Sequence, residues 1–338
     1  MVRPGRCRGG QDKARFQMVQ DVTLVAAGLV LLFVGGEALV RGAVAMAERM
    51  GISKLLIGLV IVGFGTSTPE LLVSVNAALD GASEIALGNV VGSNIANILL
   101  ILGLAAVIAP IMGWARTAVR EALVATLVSL TAFALVQGAV ISRMEGIAML
   151  LVMVGYLVSS YWLERRDRTA QTFQHEAEAF EGLPVGRPWL PVLLALGGIA
   201  ALVLGADLLV EGAVNIARVF GVPDAVIGLS LVAVGTSLPE LATAIVAAIR
   251  RQSDVVLGNV IGSNIFNILA ILGVTVVIQP IEVSARFREI DTPVMLGAAL
   301  LLLALLFATR GIGRIWGAAM LAIYAAYMVF LFAGGMAA

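Results

Sequence analysis

Residues 58–70 read GLVIVGFGTSTPE, and residues 228–240 read GLSLVAVGTSLPE. Each run closes on a Gly-Thr-Ser-x-Pro-Glu string inside an otherwise apolar stretch. Thr66 and Ser67 stand four and three residues before Glu70, so on one helix both hydroxyls share a face with the carboxylate. Pro69 has no backbone donor, which frees a carbonyl one turn earlier, that of Gly65 or Thr66. Gly63 and Gly65 let the backbone bend and approach a ligand closely. The product is a local cluster of oxygens: one carboxylate, two hydroxyls and freed carbonyls. Thr236, Ser237, Pro239 and Glu240 repeat it.

A second pair of strings follows. Residues 87–103 read LGNVVGSNIANILLILG and residues 257–273 read LGNVIGSNIFNILAILG, alike at fourteen of seventeen positions. Asn89, Ser93 and Asn97 are spaced by four and make one polar stripe, as do Asn259, Ser263 and Asn267. Gly88, Gly92, Gly258 and Gly262 lie alongside and permit close helix packing. Each stripe is expected to face the broken helix of its own half. Asn94 and Asn264 stand about 100° off the stripes, in supporting positions toward freed backbone groups.

An all-oxygen site with two carboxylates suits a hard cation, and Ca²⁺ most of all, because it takes six to eight flexible oxygen ligands. Na⁺ also takes oxygen, and several Na⁺ can replace one Ca²⁺ among hydroxyls and amides. A charged Glu at a bilayer centre costs about 3 kcal/mol or more unless paired. The repeated strings contain no Lys or Arg, so bound cations are the expected partners of Glu70 and Glu240. Two protonated structural glutamates are the plainer reading, and the duplication weighs against it. The single Cys7 and single His175 exclude a Cys/His metal cluster and an intrachain disulfide.

The elements that must hold these residues are membrane spans. The chain has 338 residues, 60% hydrophobic and 13% charged, against about 25% charged in soluble domains. Apolar runs near twenty residues recur along its whole length. The fold class is an all-α polytopic membrane protein. Ten spans are expected, near 22–41, 52–80, 84–109, 116–137, 141–163, 189–212, 222–250, 254–279, 290–309 and 312–334. The second and seventh are too long for one straight helix, and their Pro-Glu strings mark the breaks. Residues 1–20 are basic and lack an apolar core, which fits either a tail or a start upstream of Met18. The domain plan is 21–163 and 189–338 as five-helix repeats, with a polar loop at 164–188 between them.

Repeat partners are 170 positions and five spans apart. Five is odd, so the second copy crosses in the opposite sense, which makes an inverted repeat. Gly51 with Gly221, Pro110 with Pro280, and Arg116 with Arg286 extend the match beyond the strings. Loops after odd-numbered spans hold thirteen Lys and Arg, and loops after even-numbered ones hold four. That places the central loop in the cytoplasm and both termini outside. The basic first twenty residues argue the other way.

These residues resemble the alpha-repeats of the sodium/calcium exchanger branch of the cation/calcium antiporter superfamily. The resemblance covers nearly the whole chain after residue 20, and two copies of G-T-S-x-P-E, each followed by G-N-V-x-G-S-N-I, make it specific. It implies ten helices as two inverted five-helix repeats. It implies Ca²⁺ binding by Glu70 and Glu240, and backbone oxygen from Thr66 and Thr236. It implies Na⁺ sites at Ser67, Ser237, Ser93 and Ser263, and central amides at Asn97 and Asn267. Some members, potassium-dependent ones among them, carry Asp at the position of Asn267, which leans this chain away from K⁺ coupling. Proton-coupled members often carry an acid in the glycine-asparagine string, where this chain has none, which favours Na⁺ over H⁺. The central loop is far shorter than a regulatory calcium-binding loop, and Glu176, Glu178 and Glu181 in it read as a solvated face.

The expected activity is exchange of Na⁺ for Ca²⁺ across a cell membrane by alternating access. H⁺/Ca²⁺ exchange is the alternative within transport, and a cation channel is the alternative of another class. An intramembrane hydrolase lacks a His or Lys base near Ser67 or Ser237. The lipid bilayer is the expected partner; zero net charge gives no hint of nucleic acid, and no obligate protein partner is evident. Trp114, Trp162, Trp189 and Trp316 lie near span ends, as interfacial anchors do. Glu37 and Asp207, also repeat partners, read as interfacial acids, with a place along an ion pathway as the alternative.

Overall fold

The structure is a computed structural model that describes residues 8–50, 53–114, 116–166, 189–220, 235–309 and 311–335. In chain order the described helices are α1 (Arg8–Met50), α2 (Lys54–Thr66), α3 (Thr68–Leu79), α4 (Ser83–Ile108), α5 (Arg116–Val136) and α6 (Arg143–Arg166). The second half supplies α7 (Leu190–Val219), α8 (Leu238–Ile249), α9 (Ser253–Ile278), α10 (Phe287–Ala308) and α11 (Arg314–Gly335). Eight of these are long and apolar enough to cross a membrane, and α2 with α3 make a ninth that is bent by 44°. The expected seventh span begins on residues 221–234, outside the described set, and ends in α8. The loop 164–188 lies outside it from residue 167 onward.

The duplication is visible element by element. Helix α3 and α8 share their bounds at an offset of 170, as do α4 and α9. Both α4 and α9 pass through a π-helical stretch at the same place, Asn97–Leu102 and Asn267–Leu272. A π stretch widens one turn and is frequent at functional sites; here each begins on a predicted site asparagine.

Helix α1 is longer at both ends than the span expected from hydropathy. Its residues Gly28, Gly35 and Gly42 recur every seven positions, and so do Gly198, Gly205 and Gly212 on α7. A Cβ at Gly28 would stand 2.7 Å from the Gly205 carbonyl, and one at Gly35 would stand 2.9 Å from that of Gly198. Numbers rise on one helix as they fall on the other, so these repeat partners pack antiparallel with their backbones in contact. In a membrane, where apolar burial drives nothing, such close van der Waals approach is what joins helices.

The halves interleave. The Thr126 hydroxyl on α5 lies 3.4 Å from the Ala299 carbonyl on α10. Arg143 at the start of α6 donates to the Ile278 carbonyl ending α9, and Arg314 at the start of α11 to the Val107 carbonyl near the end of α4. Two short antiparallel ribbons do the same: β1 (Ile111–Met112) pairs with β4 (Gly311–Ile312), and β2 (Val140–Ile141) with β3 (Ile281–Glu282). The fully buried large side chains include Leu87, Ile95 and Leu102 on α4 and Leu257 on α9, so these helices form the centre of the molecule.

Candidate functional site

The site is built where two helices, α3 and α8, begin inside the protein. Helix α2 stops at Thr66, Ser67 adopts φ −84° and ψ 10°, and α3 starts with Pro69 in its first turn. Ser237 repeats that geometry at φ −91° and ψ 7° before α8, which starts with Pro239. Proline fits there because its missing N–H is one that a first helical turn leaves unbonded anyway. Glu70 and Glu240 therefore sit in the first turns of α3 and α8, where the positive end of the helix dipole favours a carboxylate.

Both carboxylates are buried at 2% exposure. The Ser67 hydroxyl donates to Glu240 Oε1 at 2.9 Å, and the Ser237 hydroxyl donates to Glu70 Oε1 at 3.2 Å. This corrects the expectation that each serine serves the glutamate of its own string. The bend at Ser67 takes the hydroxyl off the face of α3, and the opposite repeat's carboxylate lies within reach instead. Glu70 Oε2 and Glu240 Oε2 have no hydrogen-bond partner although fully enclosed. A buried carboxylate oxygen without a partner carries a heavy desolvation cost, and a cation removes it.

The other predicted residues divide into three groups. Thr66 Oγ1 turns back to the Val62 carbonyl at 3.0 Å and also lies 3.4 Å from Asn259 Oδ1. Thr236 is half-buried beside the Ser237 cap. Ser93 and Ser237 place their hydroxyls 3.5 Å apart, and Ser263 donates to the Gly63 carbonyl at 3.5 Å. The serines of both stripes thus meet the Gly-Thr-Ser-x-Pro-Glu region of the other half, which overturns the same-half expectation for them. It holds for Asn89 and Asn259 but not for Asn97 or Asn267: Asn89 donates to the Glu70 carbonyl at 3.0 Å and Asn259 to the Glu240 carbonyl at 3.3 Å. Asn97 and Asn267 are buried at 1%. Asn97 donates to Asn264 Oδ1 at 3.0 Å, while Asn97 Oδ1 and both amide atoms of Asn267 are without partners.

Within the repeated strings, five enclosed side-chain oxygens are therefore open: one on each glutamate and those of Asn94, Asn97 and Asn267. Among the described residues no group of three or more His, Cys, Asp or Glu occurs, so neutral oxygens must complete any cation shell. Gly258 and Gly262 do meet a neighbouring backbone, that of Leu55 and Leu59 on α2. Gly88 meets the Phe287 ring at 3.5 Å; for Gly92 no neighbour is found, and the repeat equivalent of α2 lies outside the described residues.

Sequence reasoning missed a second buried polar layer. Glu121 on α5 accepts from the Tyr156 hydroxyl of α6 at 2.6 Å and from Arg120 at 2.8 Å. Asp291 accepts from the Tyr327 hydroxyl of α11 at 2.8 Å and from Arg286 at 3.1 Å. Glu121 and Asp291 are repeat partners at the offset of 170, which was the available signal. These acids are satisfied, unlike Glu70 and Glu240, and so tie helices together.

The family model described as "Sodium/calcium exchanger protein" matches residues 21–162 and 190–333. A putative antiporter CaxA of Alkalimonas amylolytica is 40% identical, over 93% of this chain and 99% of that protein. The sodium/calcium exchanger MaX1 of Methanosarcina acetivorans is 33% identical, over 90% of this chain and 96% of that one. A solved structure of the sodium-calcium exchanger NCX_Mj superposes with a TM-score of 0.80 at 31% identity, covering 92% of this chain and 98% of the other. With duplicated carboxylate-bearing helix starts in a multi-pass membrane fold and a family match over both halves, the chain belongs to the sodium/calcium exchanger family of the cation/calcium antiporter superfamily.

Proposed function

We propose that this chain exchanges Na⁺ for Ca²⁺ by alternating access, with Glu70 and Glu240 as the shared carboxylates. The observation that carries the reading is the pair of enclosed, unpartnered oxygens on Glu70 and Glu240, joined through serines of opposite repeats. Antiport of a cation against Ca²⁺ is supported by the family; Na⁺ as the coupling ion is supported by MaX1 and NCX_Mj, both named as sodium/calcium exchangers. Thr66 and Thr236 backbone oxygens, the hydroxyls of Ser67, Ser237, Ser93 and Ser263, and the amides of Asn97 and Asn267 supply the neutral ligands. Ten helices in two inverted five-helix repeats, with the central loop cytoplasmic and both termini outside, complete the reading.

Two ionised glutamates carry charge −2. One Ca²⁺ or two Na⁺ neutralise them, so loaded forms cross and an empty site is held back. That produces exchange and not leak. Two Na⁺ moving down tenfold gradients supply about 2.7 kcal/mol, enough for about a hundredfold Ca²⁺ gradient. A third Na⁺ and 100 mV raise this to about 6.4 kcal/mol, over ten-thousandfold in Ca²⁺. Steep Ca²⁺ extrusion therefore needs the third ion.

The test is ⁴⁵Ca²⁺ uptake into Na⁺-loaded liposomes holding the purified protein, diluted into Na⁺-free buffer. Uptake is expected to require internal Na⁺ and to be lost in Glu70→Gln and Glu240→Gln. Unchanged uptake in both variants defeats the site, and uptake driven by a pH gradient without Na⁺ transfers the function to H⁺/Ca²⁺ exchange.

A further inference from the structure

Glu37, on α1, accepts from Arg41 one turn on at 2.6 Å. The same carboxylate is gripped by both arms of Arg250, at the C-terminal end of α8: Nε bonds Oε2 at 3.1 Å, and Nη2 bonds Oε1. This two-pronged pair is the geometry that fixes a guanidinium and a carboxylate most firmly. Glu37 is 18% exposed and Arg250 42%, so the pair sits at the rim of the protein and is partly shielded. It ties the α1–α7 pair to one of the two helices that carry the site glutamates.

The repeat gives this contact a counterpart that has the wrong charge. Glu37 corresponds to Asp207 on α7, and Arg250 corresponds to Asp80 at the end of α3. The two turns are built alike. Arg250, Arg251 and Gln252 donate to Val246, Ala248 and Ala247, and Asp80, Gly81 and Ala82 donate to Asn76, Ala78 and Ala77. Asp80 therefore stands on α3 where Arg250 stands on α8. Asp80 and Asp207 are both exposed, and two carboxylates form no bridge.

The packing beneath is equally one-sided. Val246 on α8 is 3% exposed, and a Cβ on Gly36 of α1 would stand 3.2 Å from its side chain. Its repeat partner on α3, Asn76, is exposed, and Leu72 one turn earlier is 59% exposed. This face of α8 is covered by α1 in this structure, and the matching face of α3 is left uncovered by protein.

We propose that Glu37 and Arg250 are positioning residues whose ion pair latches the α8 side shut, and that the acid pair Asp207 and Asp80 denies the α3 side an equivalent latch. The inference rests on the alternating-access reading. In an inverted repeat the opposite state is reached when the halves exchange conformations. The exchange would break the Glu37–Arg250 pair and bring Asp207 toward Asp80. A charge difference between the halves thus biases the protein toward the state with the α3 side open.

The test replaces Cys7 with Ser and places a reporter at Val246→Cys or Asn76→Cys, read by the rate of modification with a charged maleimide in detergent. Glu37→Gln or Arg250→Gln is expected to raise Val246→Cys labelling and lower Asn76→Cys labelling by about two- to fivefold, the range for an exposed pair. The swap Glu37→Arg with Arg250→Glu is expected to restore both rates. Asp80→Arg, which supplies a cation opposite Asp207, is expected to move both rates as Glu37→Gln does. A general loosening would raise Val246→Cys labelling without lowering that of Asn76→Cys, and would overturn the latch. Rates that shift oppositely with Ca²⁺ or Na⁺ in the parent but stay fixed in all the charge variants would also overturn it. Rates that never shift oppositely, even with ions in the parent, would overturn the alternating-access reading beneath it.

Discussion

Crossed serine–glutamate pairing makes a prediction that separates this structure from a reading of either string by itself. Ser67 donates to Glu240 and not to Glu70, three residues away on the chain. A hydrogen bond to a charged group contributes about 1.5–3 kcal/mol, so Ser67→Ala is expected to weaken Ca²⁺ binding by about ten- to a hundredfold. The decisive measurement is a double-mutant cycle, with Ca²⁺ binding followed by titration calorimetry in Na⁺-free detergent buffer. Glu240→Asp keeps the charge but retracts the carboxylate by one methylene, which breaks the bond to Ser67 without removing the site. Ser67→Ala and Glu240→Asp should then be non-additive by about 1 kcal/mol or more, while Ser67→Ala and Glu70→Asp should add to within about 0.5 kcal/mol. Ser237→Ala should give the mirror result, coupled to Glu70 and independent of Glu240. A larger coupling of Ser67 with Glu70 than with Glu240 would refute the crossed geometry.

Two further outcomes follow from which buried polar atoms have partners. Asn267→Leu removes an amide that makes no hydrogen bond, so thermal unfolding should shift by less than about 1 kcal/mol while Ca²⁺ affinity falls. Asn264→Leu breaks bonds to both Asn97 and the Asn94 carbonyl, so it should instead cost about 1–3 kcal/mol of stability. If Asn267→Leu destabilises as much as Asn264→Leu, its role is structural. Tyr156→Phe and Tyr327→Phe each strand a carboxylate oxygen, on Glu121 and Asp291. Each should lower the unfolding midpoint by an amount equivalent to about 1–3 kcal/mol with Ca²⁺ affinity unchanged, and a loss of affinity at constant midpoint would contradict the helix-tying role.

Much of the site was legible because its residue types are out of place in apolar runs. Glu70, Glu240, Ser93, Ser263, Asn97 and Asn267 are conspicuous for that reason, and all are buried together. The breaks were legible because proline cannot donate. What escaped notice was chemistry made of ordinary residues. The α1–α7 contact is carried by glycines seven apart, a pattern that any apolar helix tolerates, and its meaning comes only from the carbonyls opposite. The extent of α1 was also missed, because hydropathy marks where a helix enters lipid and not where its hydrogen bonds stop. Glu121 and Asp291 stand out only once the fold brings Tyr156 and Tyr327 onto them.

The sequence by itself determined that the chain is a duplicated membrane protein with one carboxylate per half at a proline-marked break. Those are properties of local composition and of an offset that can be counted along the chain. Only the tertiary structure decided which half serves which. A helix spacing of three or four predicts neighbours only within one helix, and here Ser67 and Ser237 stand outside the helices that carry Glu70 and Glu240, as their N-caps. Past that bend the nearest carboxylate belongs to the other repeat. The same holds at the rim, where the sequence displays Glu37, Asp207, Asp80 and Arg250 as four scattered charges. Packing of α1 against α8 makes two of them a bond and leaves the other two apart.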